Sequence, residues 1–236
     1  MTILIAGEGP EDIGFSINGS EYDGDIKLVL FALLRAHGWK GGNFGSDNIM
    51  IRDAPKVHRQ TAANNAEIKK IINLIAHAHW NNFQMCVVVI DVRKKHFKKI
   101  SQQLSTAEKE LAAHGIEKFI IGLAVHEIEA WILADTKARK AVLDKHAGHY
   151  KFSGKPEDDP DPKSSLKQLT GQWLSANPRF YYSYRTSEPE NEIRQAMIGN
   201  IKPEVAAKLC PLGFKPFYEK VKKAFIPLFV KGTPER

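Results

Sequence analysis

Apolar residues along this chain fall into short unbroken runs separated by stretches of helical period. Ile3-Leu4-Ile5-Ala6, Met85-Cys86-Val87-Val88-Val89-Ile90 and Phe119-Ile120-Ile121-Gly122-Leu123-Ala124-Val125 are continuous runs, the pattern of strands buried on both faces of a parallel sheet. Asp25 to His37 carries Ile26, Leu28, Val29, Leu30, Leu33 and Leu34 and stops at Gly38, which predicts a largely buried helix. Thr61 to His79 sets Ile68, Ile71, Ile72 and Ile75 on one helical face, and Lys94 to His114 carries Leu104 and Leu111 ahead of Gly115. Asn48 to Arg52 reads as a short strand, and a helix is expected from about Glu127 to His146.

The alternation predicts an α/β fold with a mostly parallel sheet flanked by helices, over residues 1–150. Lys151 to Lys163 is a polar loop with Pro156, Pro160 and Pro162. After it only helical patterns remain: Ser164 to Leu174, Glu190 to Ile198, Pro203 to Leu209 and Phe214 to Phe229. Residues 151–236 are therefore expected to form a helical extension packed on the sheet domain.

Each apolar run ends in acid. The first opens into Gly7-Glu8-Gly9-Pro10-Glu11-Asp12, the second into Asp91, and the third into His126-Glu127-Ile128-Glu129. Parallel strands bring these tips to one edge of the sheet, where open α/β folds place ligands. Carboxylates gathered there repel one another and lose hydration, and a bound divalent cation is the simplest compensation. Acids in a first helical turn also complement the helix dipole, a purely structural use open to Glu127 or Glu129. Residues two apart on a helix point to different sides, so one of that pair is expected to face the cleft.

Charge adds a second element. The 236-residue chain carries a net +7 with a pI near 9.3, a balance that favours polyanionic partners. Arg93, Lys94, Lys95 and Lys98 follow Asp91 directly, placing cations for nucleic-acid phosphates at the rim of a metal site. The same run also fits a solvated helix face. Arg179-Phe180-Tyr181-Tyr182-Ser183-Tyr184-Arg185 interleaves aromatics with arginines, which fits a single-strand stacking surface and loop packing alike.

Other chemistries find little support. Cys86 and Cys210 have no zinc or disulfide spacing and read as reduced packing residues. His146 and His149 lack a third ligand nearby. Nucleophile-elbow and P-loop signatures are absent. Asp158-Asp159-Pro160-Asp161 suits a structural or rim role, with a helix N-cap expected at Ser164 or Ser165. No apolar stretch approaches the roughly 20 residues of a bilayer span, and no secretory leader is evident, so a cytoplasmic protein with no membrane association is expected.

Taken together, Gly7 to Gly14 (GEGPEDIG), His126 to Asp135 (HEIEAWILAD), Asp159 to Leu166 (DPDPKSSL) and Cys210 to Phe217 (CPLGFKPF) resemble a bacterial Toprim-like group. That group is related to the nuclease part of overcoming-lysogenization-defect proteins and often occurs beside ATPases in phage-defence operons. The resemblance implies a Toprim/Rossmann-like sheet and Mg2+ or Mn2+ as cofactor. It also implies Glu8 as metal ligand or general acid/base, Asp91 as ligand, and one of Glu127 and Glu129, with Glu129 preferred, as a further ligand. One departure stands out: the family's Asp-x-Asp motif is here Asp91-Val92-Arg93, with a cation where the second acid belongs. The expectation is a metal-dependent nuclease acting on DNA or RNA, in anti-phage defence with an ATPase partner. The alternative is a non-catalytic subunit that binds nucleic acid or the ATPase, its metal site impaired by Arg93.

Overall fold

The structure, a computed structural model, describes residues 2–17, 20–41, 45–56, 65–143, 155–177 and 189–230. Arg179 to Arg185, His146, His149 and the expected boundary at residue 150 lie outside them.

Four parallel strands form the central sheet: β1 (Thr2–Gly7), β4 (Gly45–Met50), β5 (Met85–Val92) and β6 (Phe119–Val125), in the order β4-β1-β5-β6. A separate antiparallel hairpin, β2 (Gly14–Ile17) and β3 (Ser20–Asp23), follows the single-turn helix α1 (Pro10–Ile13). The main helices between strands are α2 (Asp25–Ala36), α3 (Ala66–Trp80) and α4 (Phe97–Ala113). The α/β class read from the sequence is the observed one. The strand order reverses between β1 and β5, because β1 connects outward to β4 and the chain then crosses back to β5.

Both faces of the sheet are covered, which explains why its central strands read as unbroken apolar runs. Ile3, Ile5, Val87, Val89 and Ile120 face one core with α2, while Leu4, Ala6, Cys86, Val88 and Ile90 face the other with α3 and α4. The first core extends without a break into the C-terminal helices through Leu166, Ile193, Met197, Phe214 and Phe217. Those helices are α5 (Glu129–Ala134), α6 (Thr136–Leu143), α7 (Pro162–Ala176), α8 (Pro189–Gly199), α9 (Pro203–Leu209) and α10 (Phe214–Lys220), followed by a π-turn at Val221–Phe225 and α11 (Ile226–Val230). Phe217 presses directly on β6: a Cβ on Gly122 would lie 2.8 Å from its ring. The apolar run from 119 to 125 therefore contains a glycine for a packing reason.

Several sequence-based boundaries change, the expected strand Asn48–Arg52 among them, since β4 ends at Met50 and Ile51–Asp53 forms a 3-10 turn. The expected helix from Glu127 starts at Glu129, because His126 takes a left-handed φ of 65° and bends the chain at the end of β6. It also breaks at Asp135, whose Oδ1 accepts the N–H groups of Lys137 and Ala138 and so starts α6 as a new helix. The cap of α7 is Asp161 rather than Ser164 or Ser165, accepting the N–H of Ser164 at 3.0 Å ahead of Pro162. Asp159, in the same motif, accepts the Ser165 hydroxyl at 2.6 Å. The acids of the DPDPKSSL motif thus act largely through local bonds that shape the turn into α7.

Candidate active site

β1 and β5 pair with Ala6 opposite Val88, so two residues further on Glu8 stands beside the end of β5. Glu8 Oε1 accepts the backbone N–H of Asp91 at 3.0 Å. The two acids read as most important in the sequence therefore meet, at the crevice where the strand order reverses. Strand alternation turns Asp91 toward the face of Val87 and Val89, the side covered by α2 and the C-terminal helices.

The loop after β1 is organised by Asp12, which the sequence reading did not single out. Its Oδ2 accepts the N–H groups of Glu8 at 3.0 Å and Gly9 at 2.8 Å. A side chain at Gly7 would collide with Asp12, its Cβ falling 2.5 Å from that of Asp12. Pro10 at the first position of α1 and an acid two residues later are a recognisable helix-start signal, and that signal could have found Asp12.

Burial and crowding act on these groups in the same direction. Desolvation, joined by the charges of Asp12, Glu8, Glu129 and Glu127, raises the Asp91 carboxyl to about 9. Glu8 is raised by desolvation and by Glu67 and Asp12, against the N–H of Asp91. Asp12 is raised by desolvation despite its two backbone bonds. The charges that act most strongly on Asp91 are all carboxylates, while Arg93 is exposed.

The C-terminal helices supply the cations. Arg194 of α8 is buried, with Nη2 on Glu129 Oε1 at 2.8 Å and on Asp25, and Nη1 3.4 Å from Glu11 Oε2. Lys163 Nζ also binds Glu11 Oε2, at 2.8 Å, and the backbone N–H of Lys163 donates to Glu127 Oε2 at 3.0 Å. These contacts outweigh desolvation at Glu11 and hold its carboxyl below the usual range. Desolvation dominates at Glu129, which is raised, and at Asp25, pushed up to about 7. Glu127 and Glu129 thus both reach the crevice, but each has a protein partner, and Glu129 is tied to a guanidinium. Asp25, Lys163 and Arg194 carried no local sequence signal of their role.

Of the basic run after β5, Arg93, Lys94, Lys95 and Lys98 are exposed. Lys94 is ion-paired with Asp158, which fastens the end of β5 to the 156–158 turn. Beside the acids, α5, α7 and α8 enclose a cleft of ≈ 130 Å³ lined in part by Lys163, Lys167, Thr170, Asn191 and Arg194.

Among the described residues, no three His, Cys, Asp or Glu side chains are grouped closely enough to hold a metal ion together. The donors at the crevice are all hard carboxylate oxygens, the type that Mg2+ and Mn2+ prefer. Glu8, Asp12 and Asp91 in particular have no ion-paired Lys or Arg among the described residues. Donor chemistry and unbalanced charge suit a hard divalent ion, but no three-ligand set is assembled for one among the described residues. Among the described residues, no helix is long and apolar enough to cross a membrane. No protein-family model, curated protein or solved structure matches the chain.

Proposed function

We propose that the protein is a nuclease that hydrolyses phosphodiester bonds of DNA or RNA with the aid of Mg2+ or Mn2+. The observation that carries this reading is the meeting of Glu8 and Asp91, 83 residues apart in sequence, at the switch point of the sheet. Around them the protein's own cations balance only part of the negative charge.

Glu8 and Asp91 are the residues that would hold the ion, with water completing its shell. When bound, it supplies a Lewis acid at a phosphoryl oxygen and a water acidic enough to attack near neutral pH. Asp12 fixes the backbone at Glu8 and Gly9, so the Glu8 carboxylate is presented at a set position. Burial and crowding favour the protonated form of Asp91, and a bound cation would favour its carboxylate. Arg93, Lys95 and Lys98 steady the phosphates of the strand at the rim. The family resemblance extends the proposal to an effector of anti-phage defence working with an ATPase partner.

Incubation with a panel of DNA and RNA substrates tests the reading. Cleavage is expected with Mg2+ or Mn2+ and none with chelator or with Glu8→Gln. Cleavage that persists in chelator would remove metal chemistry from the proposal.

The engagement of Glu129 with Arg194 favours a second reading, a non-catalytic subunit that binds nucleic acid or an ATPase. In that case binding is indifferent to chelator and no strand is cut under any condition.

A further inference from the structure

The cleft beside the crevice is built from two helix faces. Lys163, Leu166, Lys167 and Thr170 recur at helical spacing along one side of α7, and Glu190 and Arg194 stand about a turn apart on α8. Much of the polar lining is already in use. Lys163 and Glu11 bind each other, and two nitrogens of Arg194 serve Glu11, Asp25 and Glu129. What is left over includes both donors and acceptors. Arg194 is buried, yet its Nε has no hydrogen-bond partner among the described residues. Lys167 and Glu190 form no ion pair among them. The buried Thr170 hydroxyl donates to the Lys167 carbonyl at 3.0 Å, which leaves its oxygen to accept.

We propose that this cleft takes up a single unpaired pyrimidine base of the substrate strand, held by its pairing edge. The inference rests on the nuclease reading and narrows its substrate to a strand with an unpaired base. Charge selects against the simpler occupant, a phosphate. Glu11, Glu129 and Glu190 line the cleft against Lys163, Lys167 and Arg194, so a dianion gains no net attraction there. A neutral ring with donors and acceptors on one edge matches the remaining groups. Lys167 and Arg194 Nε donate to its carbonyl oxygen or ring nitrogen, and Glu190 and Thr170 accept from its N–H groups.

Size selects the ring. The volume of ≈ 130 Å³ is close to the roughly 150 Å³ that takes up benzene, enough for one six-membered ring. Leu166, otherwise buried, gives that ring an apolar contact. A base paired inside a duplex hides the edge the cleft would read, so the base must be unpaired or turned out of the stack. The position also suits a strand on its way to the acids. Glu129 lines the cleft, and its charge acts on Asp91.

Binding of six-nucleotide single strands to the full chain in chelator, followed by fluorescence anisotropy, tests the inference apart from cleavage. Oligo-dC and oligo-dT should bind at least about fivefold tighter than oligo-dA or the same backbone without bases, the discrimination expected of one well-read base edge. Glu190→Ala and Lys167→Gln should each bring that ratio to within about twofold. Glu190 is half-buried and Lys167 exposed, so neither change threatens the fold. Equal affinity for all four strands, tighter binding of oligo-dA, or a pyrimidine preference that survives both substitutions each overturn the assignment. Cutting of strands with Mg2+ by the same protein then leaves the nuclease reading standing. A preference abolished by Glu190→Ala in a protein that cuts nothing keeps the cleft and removes the nuclease. No strand bound and none cut overturns both.

Discussion

The Glu8 carboxylate accepts the backbone N–H of Asp91 at 3.0 Å, and this bond joins the tips of two neighbouring strands through only one of the two acidic side chains. The Asp91 carboxylate is left among Asp12, Glu8, Glu127 and Glu129, all of which raise its proton affinity. One acid is thus anchored and the other is charged only at a cost. A positive ligand that lifts this cost gains binding free energy from the repulsion already present in the fold.

Glu8→Gln separates anchoring from charge. The amide oxygen can still accept the Asp91 N–H, so stability should stay within about 1 kcal/mol of wild type. Cleavage and Mn2+ affinity should fall by about 100-fold or more, since a neutral amide is a poor ligand for a hard cation. Chemical denaturation and Mn2+ titration on the same preparation check both halves. Unchanged Mn2+ affinity would remove Glu8 from the site.

Asp91→Asn should stabilise the ion-free protein at neutral pH. The carboxyl is raised to about 9 in the fold and returns to an ordinary aspartate on unfolding. A raised carboxyl is protonated more readily in the fold, so the folded state is favoured below the unfolded pKa and loses stability as pH climbs toward the folded one. Wild type without metal should therefore lose on the order of 1–3 kcal/mol between about pH 4 and pH 9, and Asp91→Asn should lose less. Melting curves in chelator across that range provide the check. Added Mn2+ should raise the melting temperature of wild type more at pH 8 than at pH 6, and that of Asp91→Asn little at either.

The parts of the fold legible in the sequence were those fixed by local pattern. Three apolar runs gave β1, β5 and β6, and the acids at their ends gave Glu8 and Asp91 because parallel strands expose their tips on one edge. The β2–β3 hairpin escaped because its strands are four residues each and lack a clean alternation. The break at Asp135 escaped because apolar residues continue on both sides of it and mask the helix-start signal of Asp-Thr. Arg194 was out of reach altogether. It lies 183 residues from Glu11 and 65 from Glu129, and in the sequence it is one cation among many on a helix.

The basic run after β5 should divide functionally at Lys94. Lys95 and Lys98 are exposed, whereas Lys94 is paired with Asp158. Replacing both Lys95 and Lys98 with Gln should weaken nucleic-acid binding and reduce the salt dependence of log K by about 2, one unit for each lost phosphate contact. Lys94→Gln should change that slope by less than about half a unit. Affinity measured at several salt concentrations distinguishes them. Equal slopes for all three proteins would mean that this rim does not carry the strand.

Asp135, the last residue of the second motif, ties the start of α6 to the chain just after the helix that carries Arg194. Its Oδ1 accepts two N–H groups at the start of α6, and its Oδ2 accepts the N–H of Lys202 at 2.9 Å, just after α8. The residue is 1% exposed, so water cannot replace these bonds easily. Asp135→Ala removes a helix cap and strands buried N–H groups, at a combined cost of about 2–4 kcal/mol. Asp135→Asn keeps the Oδ1 cap but turns an amide toward the Lys202 N–H, donor against donor, and should cost about half as much. Because α8 loses its tie at Lys202, the contact of Arg194 with Glu129 should loosen as well. Urea denaturation gives the first effect. The second appears as a change in Mn2+ binding in folded Asp135→Asn, and an Asp135→Asn protein that is destabilised yet binds Mn2+ as wild type does would show that α8 keeps Arg194 in place without this tie.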